Sequence, residues 1–123
     1  MIAKDIMTTD VITVGEDLEI LDVCKVLAEG RVSGAPVVNK EGKLVGIITE
    51  RDLLFYNPLI TSIKDLMTKE VVTVTEDTPV DEISRLQLTH SIKRVLVMSG
   101  EKIVGVISRM DIIRGKVESG KLE

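Results

Sequence analysis

The chain repeats itself, and this constrains its fold more than any other feature. Lys4-Asp5-Ile6-Met7-Thr8 returns as Lys64-Asp65-Leu66-Met67-Thr68, and Val11-Ile12-Thr13-Val14 as Val71-Val72-Thr73-Val74. Further along, Leu44-Val45-Gly46-Ile47-Ile48-Thr49 matches Ile103-Val104-Gly105-Val106-Ile107-Ser108, and Asp52-Leu53-Leu54 matches Asp111-Ile112-Ile113. The matches run at an offset of 60 and then of 59, so one residue is lost in a turn between them. A repeat of this kind means that one supersecondary unit must form twice. The copies cover roughly residues 3–56 and 63–115, which divides the chain into repeat 1 over 1–60 and repeat 2 over 61–123. A unit of roughly 55 residues buries too little surface to be comfortably stable alone. Two such units sharing apolar faces remove the difficulty, and junctions of this sort are where ligand clefts commonly form.

Each copy reads strand, helix, strand, strand, helix. The β-branched run Val11–Val14 predicts a strand. Asp17 is placed to cap a helix whose apolar face is Ile20, Val23, Cys24 and Leu27, with Gly30 at its C-terminal cap. In the second copy Thr78 is the candidate N-cap and Pro79 the first helical residue, with Val80, Ile83 and Leu86 facing inward. Hairpins follow: Ala35–Val38 with Lys43–Thr49, and Arg94–Met98 with Lys102–Ser108. Gly46 and Gly105 fall inside strands, where glycine marks a bulge or a close backbone approach. Residues 50–56 and 109–116 complete the copies as short helices. The fold class is α/β (α+β), with two pseudosymmetric repeats and a small three-stranded sheet in each.

Composition narrows the function classes. With 44% hydrophobic residues and only Phe55 and Tyr56 as aromatics, the core must be aliphatic. Single-stranded nucleic-acid platforms stack bases on several rings, so that class is disfavoured. The net charge of −4 gives no global steering toward DNA or an acidic membrane. One cysteine, Cys24, and one histidine, His90, exclude an internal disulfide, a cysteine-based zinc site and a His-pair metal site. Cys24 reads as core, His90 as a helix-end residue, and Met7 and Met67 as packing residues. No run of residues is long and apolar enough for a spanning helix, and MIAKDIMTTD lacks the apolar centre of a signal peptide. The expected location is cytoplasmic, with no membrane partner.

The residues that could carry chemistry recur with the repeat. Gly46-Ile47-Ile48-Thr49-Glu50-Arg51-Asp52 and Gly105-Val106-Ile107-Ser108-Arg109-Met110-Asp111 share one pattern: glycine, two aliphatics, a hydroxyl, two variable residues, aspartate. A carboxylate can accept both hydrogens of a ribose diol, and a hydroxyl beside free helix-start N–H groups suits phosphate or ribose oxygens. The same spacing also makes a capping box, which is a purely structural role. Before each hairpin lies a second constellation. In copy one it is Val32-Ser33-Gly34-Ala35-Pro36, with backbone accessible at Ser33-Gly34. In copy two it is Ile92-Lys93-Arg94, with cations for phosphates or, equally, ordinary exposed charges.

Taken together, these residues resemble a tandem pair of cystathionine-β-synthase (CBS) domains, a Bateman module. The resemblance rests on the Met-Thr start, the Val-x-Thr-Val strand, the Val-Ser-Gly-Ala-Pro-Val-Val segment and the Gly-x-x-(Thr/Ser)-x-x-Asp ending, and it spans residues 3–115. It implies adenosine-type ligands in two clefts, each taking its aspartate from one copy and its pre-hairpin segment from the other. Carried over, one cleft would use Ile47, Thr49 and Asp52 with Val72, Thr73, Ile92, Lys93 and Arg94. The other would use Val106, Ser108 and Asp111 with Ile12, Thr13, Val32, Ser33, Gly34, Ala35 and Pro36. Copy two departs from the pattern where Lys93-Arg94 replaces Ser33-Gly34 and Val95-Leu96 replaces Ala35-Pro36. The first cleft is therefore the one expected to favour a phosphorylated ligand.

The resulting expectation is a non-catalytic sensor of an adenine nucleotide, with AMP or ATP as ligand, S-adenosylmethionine as a further candidate and no required cofactor. The resemblance also implies a homodimer, and the regulated protein would be contacted in trans. The alternative is a structural or dimerisation module with empty clefts. No nucleophile–base set, phosphate loop or dinucleotide fingerprint occurs in the chain.

Overall fold

The structure is a computed structural model that describes residues 1–120. In chain order it contains α1 (Ala3–Ile6), β1 (Val14–Gly15), α2 (Ile20–Gly30), β2 (Gly34–Val38), β3 (Leu44–Thr49) and α3 (Glu50–Leu54). There follow α4 (Ile63–Leu66), β4 (Thr73–Thr75), α5 (Val80–Thr89), β5 (Arg94–Ser99), β6 (Lys102–Ser108) and α6 (Arg109–Ser119). The elements group into two compact units. A contiguous unit comprises Ile12–Val71; a split unit joins Met1–Val11 to the chain from Val72 onward. The units thus divide the chain at other residues than the sequence repeat does. The last three residues of repeat 2 lie outside the described residues.

Each unit contains one three-stranded sheet. In the contiguous unit the order is β1-β2-β3, with β1 parallel to β2 and β2 antiparallel to β3. In the split unit β4, β5 and β6 repeat this arrangement. Both hairpins carry a bulge at the same place: Gly46 opposes Val37 and Leu44 opposes Val38, while Gly105 opposes Val97 and Ile103 opposes Met98. Val45 and Val104 are the extra residues.

The strand glycines also permit a close approach. A Cβ on Gly46 would lie 2.7 Å from Met67 Sδ and 2.9 Å from the Thr68 carbonyl oxygen. On Gly105 it would lie 2.6 Å from Met7 Sδ. The Met-Thr segment therefore rests directly on the outer strand of each hairpin. Ile47 and Thr68 exchange two backbone hydrogen bonds of 2.9 Å, and so do Val106 and Thr8. In each unit this segment comes from the other sequence copy: Met7-Thr8 serves β6, and Met67-Thr68 serves β3.

The cores are aliphatic. Val14, Val23, Leu27, Ala35, Val37, Ile48 and Ile63 are buried together in the contiguous unit. Ala3, Val74, Val80, Ile83, Val95, Val97, Ile107 and Ile112 form the core of the split unit. Phe55 is 80% exposed, and neither aromatic belongs to a core.

Several local expectations are corrected. The first strand is Val14–Gly15, later and shorter than Val11–Val14, whereas its counterpart runs over three residues. Proline explains the difference. Leu96 donates a long backbone hydrogen bond of 3.5 Å to the Val72 carbonyl and pairs with Thr73. The equivalent residue in copy one is Pro36, which has no N–H to donate to Ile12, so the ladder starts a residue later. Asp17 does not cap α2. The N-cap is Glu19, with no side-chain cap bond, and Asp17 instead lies 3.5 Å from Lys64 Nζ, which also sits 3.7 Å from Glu16. Gly30 remains helical and Arg31 takes the left-handed cap at φ 53°. Gly30 instead leaves room for the end of the Ile12 side chain, which a Cβ there would displace. In copy two the N-cap is Pro79, one residue later than expected, because the Thr78 hydroxyl accepts a bond from Thr75 N–H in the preceding turn. Residues 55 and 56 fall beyond α3, and α6 extends to Ser119. Cys24 is half-buried and not part of the core.

Candidate functional site

The two hydroxyl–aspartate pairs sit where the outer hairpin strand turns into a helix. Thr49, extended at φ −121°, is the N-cap of α3. Its N–H donates to Asp52 Oδ2 at 2.9 Å and its hydroxyl to the same oxygen at 3.1 Å, while Asp52 N–H donates back to Thr49 Oγ1 at 3.4 Å. Ser108 does the same for α6, with bonds of 2.8 and 3.0 Å to Asp111 Oδ2 and 3.2 Å back to its own Oγ. Both pairs are complete capping boxes, which satisfies helix-start N–H groups that otherwise lack partners.

Beyond the box the pairs differ. Asp111 is only 7% exposed, and its second oxygen is engaged: Oδ1 accepts from the Thr8 hydroxyl at 3.2 Å and from Arg114 Nη2 at 2.7 Å. Asp52 is half-buried, and among the described residues its Oδ1 receives no hydrogen bond. The counterpart of Arg114 in copy one is Phe55, which is solvent-exposed and carries no cation. Thr8 and Arg114 were not singled out from the sequence. Arg114 stands three residues after Asp111 on one helix face, a spacing that is legible in principle. Thr8 reaches Asp111 across 103 residues and left no local signal.

Each unit also carries one pre-hairpin segment beside its pair. In the contiguous unit Gly34 opposes Thr49, and Glu50 N–H donates to the Ser33 carbonyl at 2.8 Å. Glycine relieves a tight spot at 34, where a Cβ would lie 3.0 Å from the Ile48 carbonyl oxygen. Val32 is half-buried against the core, Ala35 and Pro36 are buried, Ile12 is half-buried and Thr13 exposed. In the split unit Arg94 opposes Ser108 at the start of β5 and is half-buried. Lys93 and Thr73 are exposed, and Val72 is half-buried. Ile92 packs on the core, and its carbonyl receives a long 3.5 Å bond from Arg109 Nη2. Ile47 and Val106 use their outward backbone groups to hold Thr68 and Thr8.

A further polar residue lies beneath the split unit's segment. Gln87, 3% exposed, donates from Nε2 to the Ile107 carbonyl at 3.2 Å and to that of Lys93 at 3.5 Å. Its counterpart in copy one is Leu27, so the helical period reads that position as apolar in one copy only. Among the described residues no group of three or more His, Cys, Asp or Glu side chains could hold a metal, and no helix is long and apolar enough to cross a membrane.

Comparison with known proteins matches this arrangement to one family. The CBS domain model fits residues 3–58 and again residues 63–118. Over 113 residues the chain is 35% identical to inosine-5'-monophosphate dehydrogenase of Methanocaldococcus jannaschii, covering 91% of this chain and 23% of that protein. It therefore spans about a quarter of the enzyme's length. Among solved structures, the CBS domain pair of protein MJ0100, in complex with 5'-methylthioadenosine and S-adenosyl-L-methionine, is 32% identical. It superposes with a TM-score of 0.85, covering 98% of this chain and 97% of that one. CBSX2, in complex with AMP, shares the fold at a TM-score of 0.87 and 24% identity, over 98% of both chains. The doubled hairpins, the paired hydroxyl–aspartate boxes and the two family matches place this chain in the CBS domain family, as a tandem pair.

Proposed function

We propose that the chain is a non-catalytic regulatory module that binds an adenosine-containing ligand, AMP or ATP before S-adenosylmethionine. The observation that carries this reading is Asp52. Among the described residues this half-buried carboxylate keeps Oδ1 without a hydrogen-bond partner while Oδ2 is held in place by the capping box. Such an oxygen is pre-oriented to accept from a sugar hydroxyl. The proposal assigns Ile47, Thr49 and Asp52, with Val72, Thr73, Ile92, Lys93 and Arg94, to one ligand. It assigns Val106, Ser108 and Asp111, with Ile12, Thr13, Val32, Ser33, Gly34, Ala35 and Pro36, to the other. The adenosine ligands of the MJ0100 pair, at 32% identity, support the ligand class. With no aromatic in either core, the base would rest on aliphatic side chains and backbone. Titration calorimetry with AMP, ATP and S-adenosylmethionine tests the reading. Micromolar to submillimolar binding that Asp52→Ala weakens is expected, and no heat at millimolar ligand would refute it.

Output requires that the ligand favour one of two states of the protein or its assembly. Leu21 on α2 and Leu88 on α5 are 65% and 80% exposed, which supports pairing with a second copy and contact with a regulated protein in trans. Sedimentation of the wild type and Leu88→Lys tests the pairing; a wild-type monomer at high micromolar concentration would exclude it. The second reading, a structural module without ligand, is favoured by the completeness of both capping boxes. The two readings separate on thermal unfolding, because a ligand bound only to the folded state must raise Tm.

A further inference from the structure

We propose that Arg114 occupies the ligand position of its own copy, so that Asp111 is closed to a sugar and the chain takes one adenosine ligand, through Asp52, where the repeat would allow two. This inference rests on the function proposed above and adds its stoichiometry and control. A ribose diol donates two hydrogen bonds and needs carboxylate lone pairs that point at it. On Asp111 those positions are filled. Oδ2 accepts from the Ser108 N–H and hydroxyl, and Oδ1 accepts from the Thr8 hydroxyl and Arg114 Nη2. The charge-assisted bond from Arg114, at 2.7 Å, is the shortest of the four and the hardest for a neutral hydroxyl to replace. Asp111 is also buried, so a sugar must displace a protein group and not water. In the other copy Phe55 stands in the position of Arg114, and among the described residues Asp52 Oδ1 has no hydrogen-bond partner. Arg114 itself is 63% exposed and tied to Asp111 through one side-chain nitrogen, so removing it disturbs no core. A hollow of about 230 Å3 in the split unit, lined by Thr8, Asp111 and Arg114, lies beside the contact and would widen.

Calorimetric titration of AMP into the full chain tests this with wild type, Asp52→Ala, Arg114→Ala and the double variant. The expected stoichiometries are one per chain for wild type, two for Arg114→Ala and one for the double variant. Asp52→Ala alone should bind at least tenfold more weakly than wild type. A wild type that binds two AMP, or an Arg114→Ala chain that still binds one, overturns the inference while leaving the proposed function standing. If neither wild type nor any variant binds AMP, both fall. If wild type does not bind but Arg114→Ala takes one AMP, the role of Arg114 is upheld and the role of Asp52 refuted.

Discussion

The two hydroxyl–aspartate pairs have the same local geometry and different surroundings. Thr49–Asp52 is a local device: each hydrogen bond made by its two side chains spans only three residues. Ser108–Asp111 has the same local bonds and, in addition, ties the N-terminal segment to α6 through Thr8. One motif therefore does two jobs. In the contiguous unit it starts a helix and, among the described residues, leaves an acceptor unengaged; in the split unit it starts a helix and holds distant pieces of chain together. The lesson is that a repeated motif repeats its local chemistry but not its long-range partners.

The comparison can be broken most forcefully at Asp111. Asp111→Ala removes a cap, a part-buried bond to Thr8 and an ion pair whose Arg114 side is largely solvated, for an expected loss of about 2–3 kcal/mol in denaturant unfolding. Equality with Asp52→Ala would show that the Thr8 tether contributes nothing. The strand glycines come next. Gly46→Ala would drive a Cβ onto the Thr68 carbonyl as well as Met67, whereas at Gly105 the nearest atoms belong to the flexible Met7 side chain. Overpacking at Gly46 is expected to cost about 2 kcal/mol, and Gly105→Ala less; the reverse order would mean that the Met-Thr segment is not held rigidly to β3.

Asp52→Ala should cost about 1 kcal/mol, the value of a cap alone. Its unfolding curve read against that of Asp111→Ala gives the Thr8 tether and the Arg114 ion pair together by difference. The smallest effect is expected from Gln87→Leu, which gives copy two the residue of copy one. It exchanges a bond to the Ile107 carbonyl for apolar packing and should lower stability by about 0.5 kcal/mol, the low end for a net hydrogen bond. A larger loss would show that the pre-hairpin segment around Lys93 depends on that amide.

Much of this was legible in the sequence because it is local. The hairpins follow from β-branched runs around short polar turns. The capping boxes follow from a hydroxyl three residues before an aspartate. The strand glycines announced a bulge or a close approach, and both occur. Failures came where a neighbour in space outbid the local signal. Asp17 has capping chemistry but lies beside Lys64. Gly30 looks like a C-terminal cap but serves to admit Ile12. Pro36 shortens the strand that the β-branched run Val11–Val14 specifies locally, since the missing donor is on the partner strand.

The sequence by itself determined that one unit is built twice, that its core is aliphatic, and where each hydroxyl–aspartate pair falls. Only the tertiary structure decided which Met-Thr segment serves which hairpin. Lys4–Thr8 and Lys64–Thr68 are nearly identical, and Gly46 and Gly105 offer both the same gap, so pattern alone cannot choose between them. Docking Met7-Thr8 on β6 brought the Thr8 hydroxyl to Asp111, and α6 brought Arg114 to the same carboxylate. The Thr8 contact, fixed by chain folding over 103 residues, and Arg114, three residues along α6 where copy one has Phe55, made two matching motifs unequal.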